Sequence, residues 1–150
     1  MKRNQHIVLL SKDHHFGLLC SWKIQQGLNK NIEPERIATY VDYFWKSHLK
    51  EHFKEEEQII FPFSDEQHNT QIKAEHTEIE RLIQLITKQP DTNLLSDFAT
   101  KLHDHIRFEE RAWFPFLDEY INEDDFAAIG LKLEESHQKV EDDYNDEFWK

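Results

Sequence analysis

A twelve-residue pattern occurs twice, 53 positions apart: His52-Phe53-Lys54-Glu55-Glu56-Glu57-Gln58-Ile59-Ile60-Phe61-Pro62-Phe63 is echoed by His105-Ile106-Arg107-Phe108-Glu109-Glu110-Arg111-Ala112-Trp113-Phe114-Pro115-Phe116. The shared frame is HxxxEExxxFPF. A histidine and a glutamate four apart on a helix lie on one face, one turn above the other. Val41, Trp45 and Ile59 share the stripe of His52, and Leu94, Phe98, Leu102 and Ala112 that of His105. Both polar pairs therefore point into a core. Imidazoles and ionised carboxylates are costly to bury unless paired or metal-bound. A chain with two such pairs has to bring them together, and two helices turned towards each other in a bundle do so.

The rest of the chain supplies the helices. Glycine and proline are scarce, at three and four, and Glu, Lys, Gln and Leu are abundant, as an all-α protein requires. The first helix starts near Ser11, a candidate N-cap, and runs to about Leu28. Pro34 opens the second, which continues through Ile59 until Pro62 ends it. The third carries Ile72, Ile79, Leu82, Ile83 and Ile86 and stops at Gln89-Pro90-Asp91. The fourth runs from Thr92 or Asn93 to near Pro115. Asn122 caps a shorter fifth, from Glu123 to about His137. Short connections favour antiparallel neighbours, so the expected architecture is an up-down-up-down four-helix bundle with a short additional C-terminal helix. It forms one domain over residues 1–150, with its core at about 11–120. In that topology helices two and four are parallel and diagonal, with their signatures at the same depth. The acidic tail from Glu141 ends in Phe148 and Trp149, which leaves both fraying and docking open.

Composition narrows the function. The net charge is −12, from 30 acids against 18 bases, which argues against a nucleic-acid partner. One cysteine, Cys20, excludes an intramolecular disulfide framework and a multi-cysteine zinc site. No segment has the length and hydropathy of a membrane span, and no N-terminal export signal is visible. The expectation is a cytoplasmic protein with no membrane partner.

Ten histidines are present, and HxxxE occurs four times, at His52, His76, His105 and His137. His76 shares a face with Ile72, Ile79 and Ile83, so it becomes a third inward histidine, with Glu80 one turn on as an extra ligand or a hydrogen-bond acceptor. Helix one offers His14 and His15, of which only one can point straight inward because neighbours lie about 100° apart. His14 aligns with Leu10, Leu18 and the small residues Gly17 and Ser21, and is preferred; His15 remains the alternative. The acid-then-histidine order of Asp13-His14 matches that of Glu75-His76. His48 reads as a rim residue, accessory ligand or proton carrier. His137–Glu141 reads as a solvated pair, and His6, His68 and His103 as exposed.

Four histidines and two carboxylates suit two first-row transition ions. Calcium prefers an all-oxygen shell, and structural zinc favours four closed ligands that often include cysteine. Glu56 and Glu109 can each bridge two ions, leaving histidines at the ends. Iron fits this donor set, with manganese or zinc as alternatives. Six protein ligands underfill two six-coordinate ions, so an oxo or hydroxo bridge, water or another small ligand completes them.

The elements Asp13-His14-His15, His52xxxGlu56 with Glu57-Gln58-Ile59-Ile60-Phe61-Pro62, Glu75-His76, and His105xxxGlu109 with Phe114-Pro115 resemble a hemerythrin-like, HHE cation-binding domain. The resemblance spans roughly Ser11 to Leu117. It implies a non-haem di-iron centre in a four-helix bundle, bridged by Glu56 and Glu109 and ended by His14 (or His15), His52, His76 and His105. The chain departs from the oxygen-carrying hemerythrins, which have an HxxxH pair where it has His76 and Glu80, and an aspartate five residues after the last histidine. Glu109 follows His105 at four, although Glu110 stands at five. The pattern is more similar to the di-iron domains of iron–sulfur cluster repair proteins and of an iron-sensing ubiquitin-ligase subunit. The implied function is binding of dioxygen, nitric oxide or peroxide in sensing, scavenging or iron handling. The alternative is a di-iron redox enzyme or a cluster-repair protein. A third possibility is an interaction bundle that uses the signature aromatics as a partner surface.

Overall fold

The computed structural model describes residues 3–137 and 141–150; these contain helices, all before residue 137, and no strand. Helix α1 is Val8–Asn29, preceded by a 3-10 turn at Gln5–Ile7. The second helix, α2 (residues 34–63), is built of successive segments: α-helical Pro34–Phe44, a π turn at Trp45–Leu49, α-helical Lys50–Glu55, a second π turn at Glu56–Ile60 and a closing 3-10 turn at Phe61–Phe63. Helix α3 is Glu66–Lys88. Helix α4 (residues 92–120) joins Thr92–Phe108, a π turn at Glu109–Trp113 and Phe114–Tyr120. Helix α5 is Glu123–Ser136.

The capping chemistry explains most of these limits. Asp65, Asp91 and Asn122 each turn a side-chain oxygen onto the first free N–H groups of the helix that follows, satisfying donors that have no partner inside the helix. At α1 the expected start is too late. Asn4 caps the turn before it, through a bond from the His6 N–H at 2.9 Å. Ser11 lies inside the helix, where its hydroxyl donates to Glu110 at 2.9 Å. At α4 the expected stop at Pro115 is too early. In the π turn the Phe114 N–H reaches Glu109 O, five residues back. Continuing that register, residue 115 would bond Glu110 O, but proline has no N–H. Arg3 Nη2 donates to that carbonyl instead, at 2.9 Å, and the helix continues.

The bundle encloses two apolar clusters. One joins Cys20 and Ile24 of α1, Val41 and Phe44 of α2, Ile79 and Ile83 of α3, and Phe98 and Leu102 of α4. The other joins Leu10, Ile60, Ile72, Trp113 and Phe114 to Phe126, Ile129 and Leu133 of α5, which closes that end. The signature aromatics Phe61, Phe63 and Phe116 pack against this second cluster. Between the clusters, every one of the four long helices passes through a polar layer.

The tail docks. Phe148 is 2% exposed and sits against Ile37 and Gly27, where an added Cβ would meet the Phe148 ring at 2.8 Å. Lys23 bonds Asp142 at 2.5 Å with its ammonium over the Trp149 ring, and Arg36 grips Asp146 through two nitrogens. Phe148→Ala is expected to destabilise the protein by about 3–5 kcal/mol, measured by denaturant unfolding at fixed metal content.

Candidate metal centre

The polar layer contains His14 of α1, His52 and Glu56 of α2, His76 of α3, and His105 and Glu109 of α4. All six are at most 5% exposed, and both glutamates are fully buried. His15 does not join them. It is exposed, because the helical turn that sends His14 inward carries its neighbour about 100° away. Glu80 is also exposed, and it belongs to neither group of side chains around the layer.

The six residues fall into two tetrads that share both glutamates. His14 and His52 gather with Glu56 and Glu109 on one side; His76 and His105 gather with the same two carboxylates on the other. Each glutamate sends one oxygen to each side. Glu56 Oε2 lies 3.2 Å from His52 Nε2 and Glu56 Oε1 lies 3.0 Å from His76 Nε2. Glu109 Oε1 lies 2.8 Å from His14 Nε2 and Glu109 Oε2 lies 3.1 Å from His105 Nε2. Adjacent ligands on a first-row ion with bonds of ~2.1 Å are separated by roughly 3.0–3.4 Å, so the donor spacing suits a cation.

Each histidine is held from behind by a further carboxylate. Nδ1 of His14 donates to Glu110 (2.6 Å), that of His52 to Asp13 (2.9 Å), that of His76 to Glu57 (2.7 Å) and that of His105 to Glu75 (2.5 Å). With Nδ1 engaged, Nε2 faces the centre, the tautomer and orientation that a metal-binding imidazole needs. The sequence reading missed this shell, though its signal is present. The doublets Asp13-His14, Glu56-Glu57, Glu75-His76 and Glu109-Glu110 each place one residue in the centre and use the other to orient a histidine on another helix.

The family model of the hemerythrin HHE cation-binding domain matches residues 13–117, which take in all four doublets and both signatures. The chain belongs to the hemerythrin HHE cation-binding family. No curated protein and no solved structure matches it.

The HHE layer fits a metal on its own chemistry. His52 Nε2, Glu56 Oε2, His105 Nε2 and Glu109 Oε2 are buried and have no hydrogen-bond partner, a rare and costly condition. They are corresponding atoms of the two signatures, all turned to the centre. Without a cation, the groups can coexist only as imidazolium–carboxylate pairs. Burial lowers the pKa of His52, but the charge of Glu56 and the bond to Asp13 outweigh it and push it up to about 10. Burial likewise opposes, and Glu109, Glu56 and Glu57 outweigh it, at His76, which rises to about 11. His14 and His105 are raised by their glutamates against the same opposition. Burial and the charge of Glu109 push Glu56 up, yet His52 and His14 leave it lowered; at Glu109 burial is outweighed by His105 and its neighbours.

A small cavity of about 10 Å³ adjoins the centre, lined by His14, His52 and His105, by Asp13 and His48, and by Gly17, Phe44, Leu49, Phe53, Leu102 and Ile106. That is room for about one water-sized molecule. An added Cβ at Gly17 would run into Ile106 Cδ1, so that side chain would have to shift. His48 stacks on Phe44 at 4.8 Å, and burial lowers its pKa, which favours the neutral imidazole. Of the remaining histidines, His103 is exposed as expected, while His6 and His68 are half-buried beside Phe126 and Phe116. His137, expected in a solvated pair with Glu141, has a side chain only 11% exposed, and its Nε2 bonds Asp13 at 2.9 Å.

These shifts fix a pH dependence for metal-stripped protein. Histidines raised from an ordinary 6.5 contribute stability that is complete below pH 6.5 and is lost as pH rises through about 10 to 11. Glutamates lowered from 4.5 contribute above that value and lose their contribution as pH falls. Melting temperatures of chelator-treated protein should therefore peak between pH 4.5 and 6.5. The alkaline decline should shrink in metal-loaded protein, where ions replace the histidine protons.

Proposed function

We propose that this HHE domain holds two iron ions, His14 and His52 on one and His76 and His105 on the other, with Glu56 and Glu109 bridging them. The carrying observation is the pair of tetrads sharing both glutamates, each glutamate offering one oxygen to each side. Imidazole with carboxylate is a donor mixture that suits iron, with manganese or zinc as substitutes. Four protein donors per ion leave coordination positions for an oxo or hydroxo bridge and for an exogenous molecule.

The exogenous molecule is a small one: dioxygen, nitric oxide or peroxide, bound for sensing, scavenging or iron handling. The cavity supports this reading, since it is water-sized and its walls away from the histidines are mostly apolar. A small uncharged molecule loses little on leaving water for such a space, whereas an ion or a larger polar substrate loses its hydration without compensation. Redox turnover at the same centre is the second reading. It draws on His48, a neutral imidazole at the cavity wall that can carry a proton.

Purified protein reconstituted with Fe(II) is expected to hold at least two irons per chain and, in air, to show a charge-transfer band near the visible edge. Glu56→Ala should lose that stoichiometry and spectrum; a wild-type chain that stays iron-free after reconstitution would refute the proposal. The orienting carboxylates give a graded test. Glu75→Gln and Glu110→Gln should each weaken iron retention about 10–100-fold in a chelator competition.

A further inference from the structure

Asp13 holds two histidines at once. Its Oδ2 accepts from His52 Nδ1 at 2.9 Å, and its two oxygens lie 2.9 and 3.0 Å from His137 Nε2. Glu55 completes a third group: ligand atoms of Asp13, Glu55 and His137 all lie within 4.8 Å of one another. They come from α1, from α2 and from the residue after α5, three separate parts of the chain. Glu55 is 3% exposed and, among the described residues, forms no ion pair. Its Oε2 accepts from Ser136 Oγ at 2.6 Å, and no described residue donates to Oε1.

This arrangement differs from the four orienting contacts, in which one carboxylate answers one histidine. Here two carboxylates converge where His137 is, among the described residues, the only cation-forming group in the cluster and is not committed to the buried centre. A buried carboxylate left over in this way calls for a counter-charge. The 2.9 Å between Asp13 Oδ1 and His137 Nε2 is close to the separation of adjacent ligands on an ion with bonds of ~2.1 Å.

We propose that Asp13, Glu55 and His137 form a third metal site that takes one divalent first-row ion, Fe(II) or Mn(II), outside the bridged pair. Two carboxylates with one imidazole form an oxygen-rich donor set that suits these ions and offers no thiolate to a soft metal. The side chains of Asp13 and His137 are each 11% exposed, so an ion can reach them from solvent. The six central residues are at most 5% exposed. Asp13 also bonds His52, so the third ion stands at the solvent end of a direct contact with the buried centre, where an arriving ion first meets protein ligands. Only this link to loading rests on the two-iron reading; the three-residue group stands on its own geometry.

Equilibrium dialysis against Fe(II) under argon, on the full chain, tests the proposal. Wild type is expected to bind three ions per chain, and His137→Gln and Glu55→Gln two each, with the air-induced optical band kept. His137→Gln guards against a Glu55 variant that fails to fold, which far-UV circular dichroism reports. Two ions in wild type, or three in both folded variants, would overturn the third site and leave the two-iron reading intact. A single ion that survives Glu56→Ala and is lost in His137→Gln would establish this site and refute the two-iron reading instead.

Discussion

The structure depends on a layer of buried charge that no single helix can neutralise. Six ionisable groups cross the middle of the bundle, with apolar clusters above and below. Each α-helix satisfies its own backbone, but no histidine of the layer is satisfied within its own helix: every Nδ1 bonds a carboxylate from another one. The layer thus sets the relative rotation and height of all four helices, which apolar packing alone specifies loosely. Removing one member leaves its partner charged and buried, which costs more than the lost contact itself.

Backbone geometry inside the two signatures follows from the same demand. In each, a π turn opens at the inward glutamate, with the N–H five residues on reaching its carbonyl. A glutamate facing the centre is followed at once by one facing a neighbouring helix: Glu56 then Glu57 against His76, Glu109 then Glu110 against His14. Such single π turns recur at functional sites because they re-aim side chains without ending a helix. The two copies differ beyond this point. The first closes in a 3-10 turn at Phe61–Phe63; the second runs on through Pro115 because Arg3 takes the carbonyl that proline leaves free.

Local patterns carried the legible part of the fold. The 3.6-residue stripes, the breaker at Gln89-Pro90-Asp91 and the cap at Asn122 identify helices because each acts within a turn or two of itself. The inward set was legible for a related reason: a polar residue on an apolar stripe is conspicuous whatever it pairs with. The pairings were not legible. Nothing near His137 announces Asp13, 124 residues away, and nothing near Phe148 announces Gly27. Ser11 misled because its hydroxyl serves Glu110 on α4 rather than the backbone beside it. Residue 15 could be separated from residue 14 only by fixing the phase of α1, which depends on what packs around it.

The centre faces two unlike environments, and the difference bears on what can reach it. Between α1, α2 and α4 it meets a small cavity walled mostly by Phe44, Leu49, Phe53, Leu102 and Ile106, with His48 and Asp13 also in its lining. Towards α5 it meets Asp13, which the bonds from His137 and His52 hold down, against burial, at about 2 and therefore ionised. A small uncharged molecule loses little against the apolar walls, whereas a cation is favoured only beside Asp13, where a carboxylate replaces its hydration. Both sides converge on His52, which lines the cavity with its ring and donates to Asp13 through Nδ1. A change in charge around Asp13 therefore acts on His52 through one hydrogen bond, and on the cavity directly, because Asp13 lines it as well.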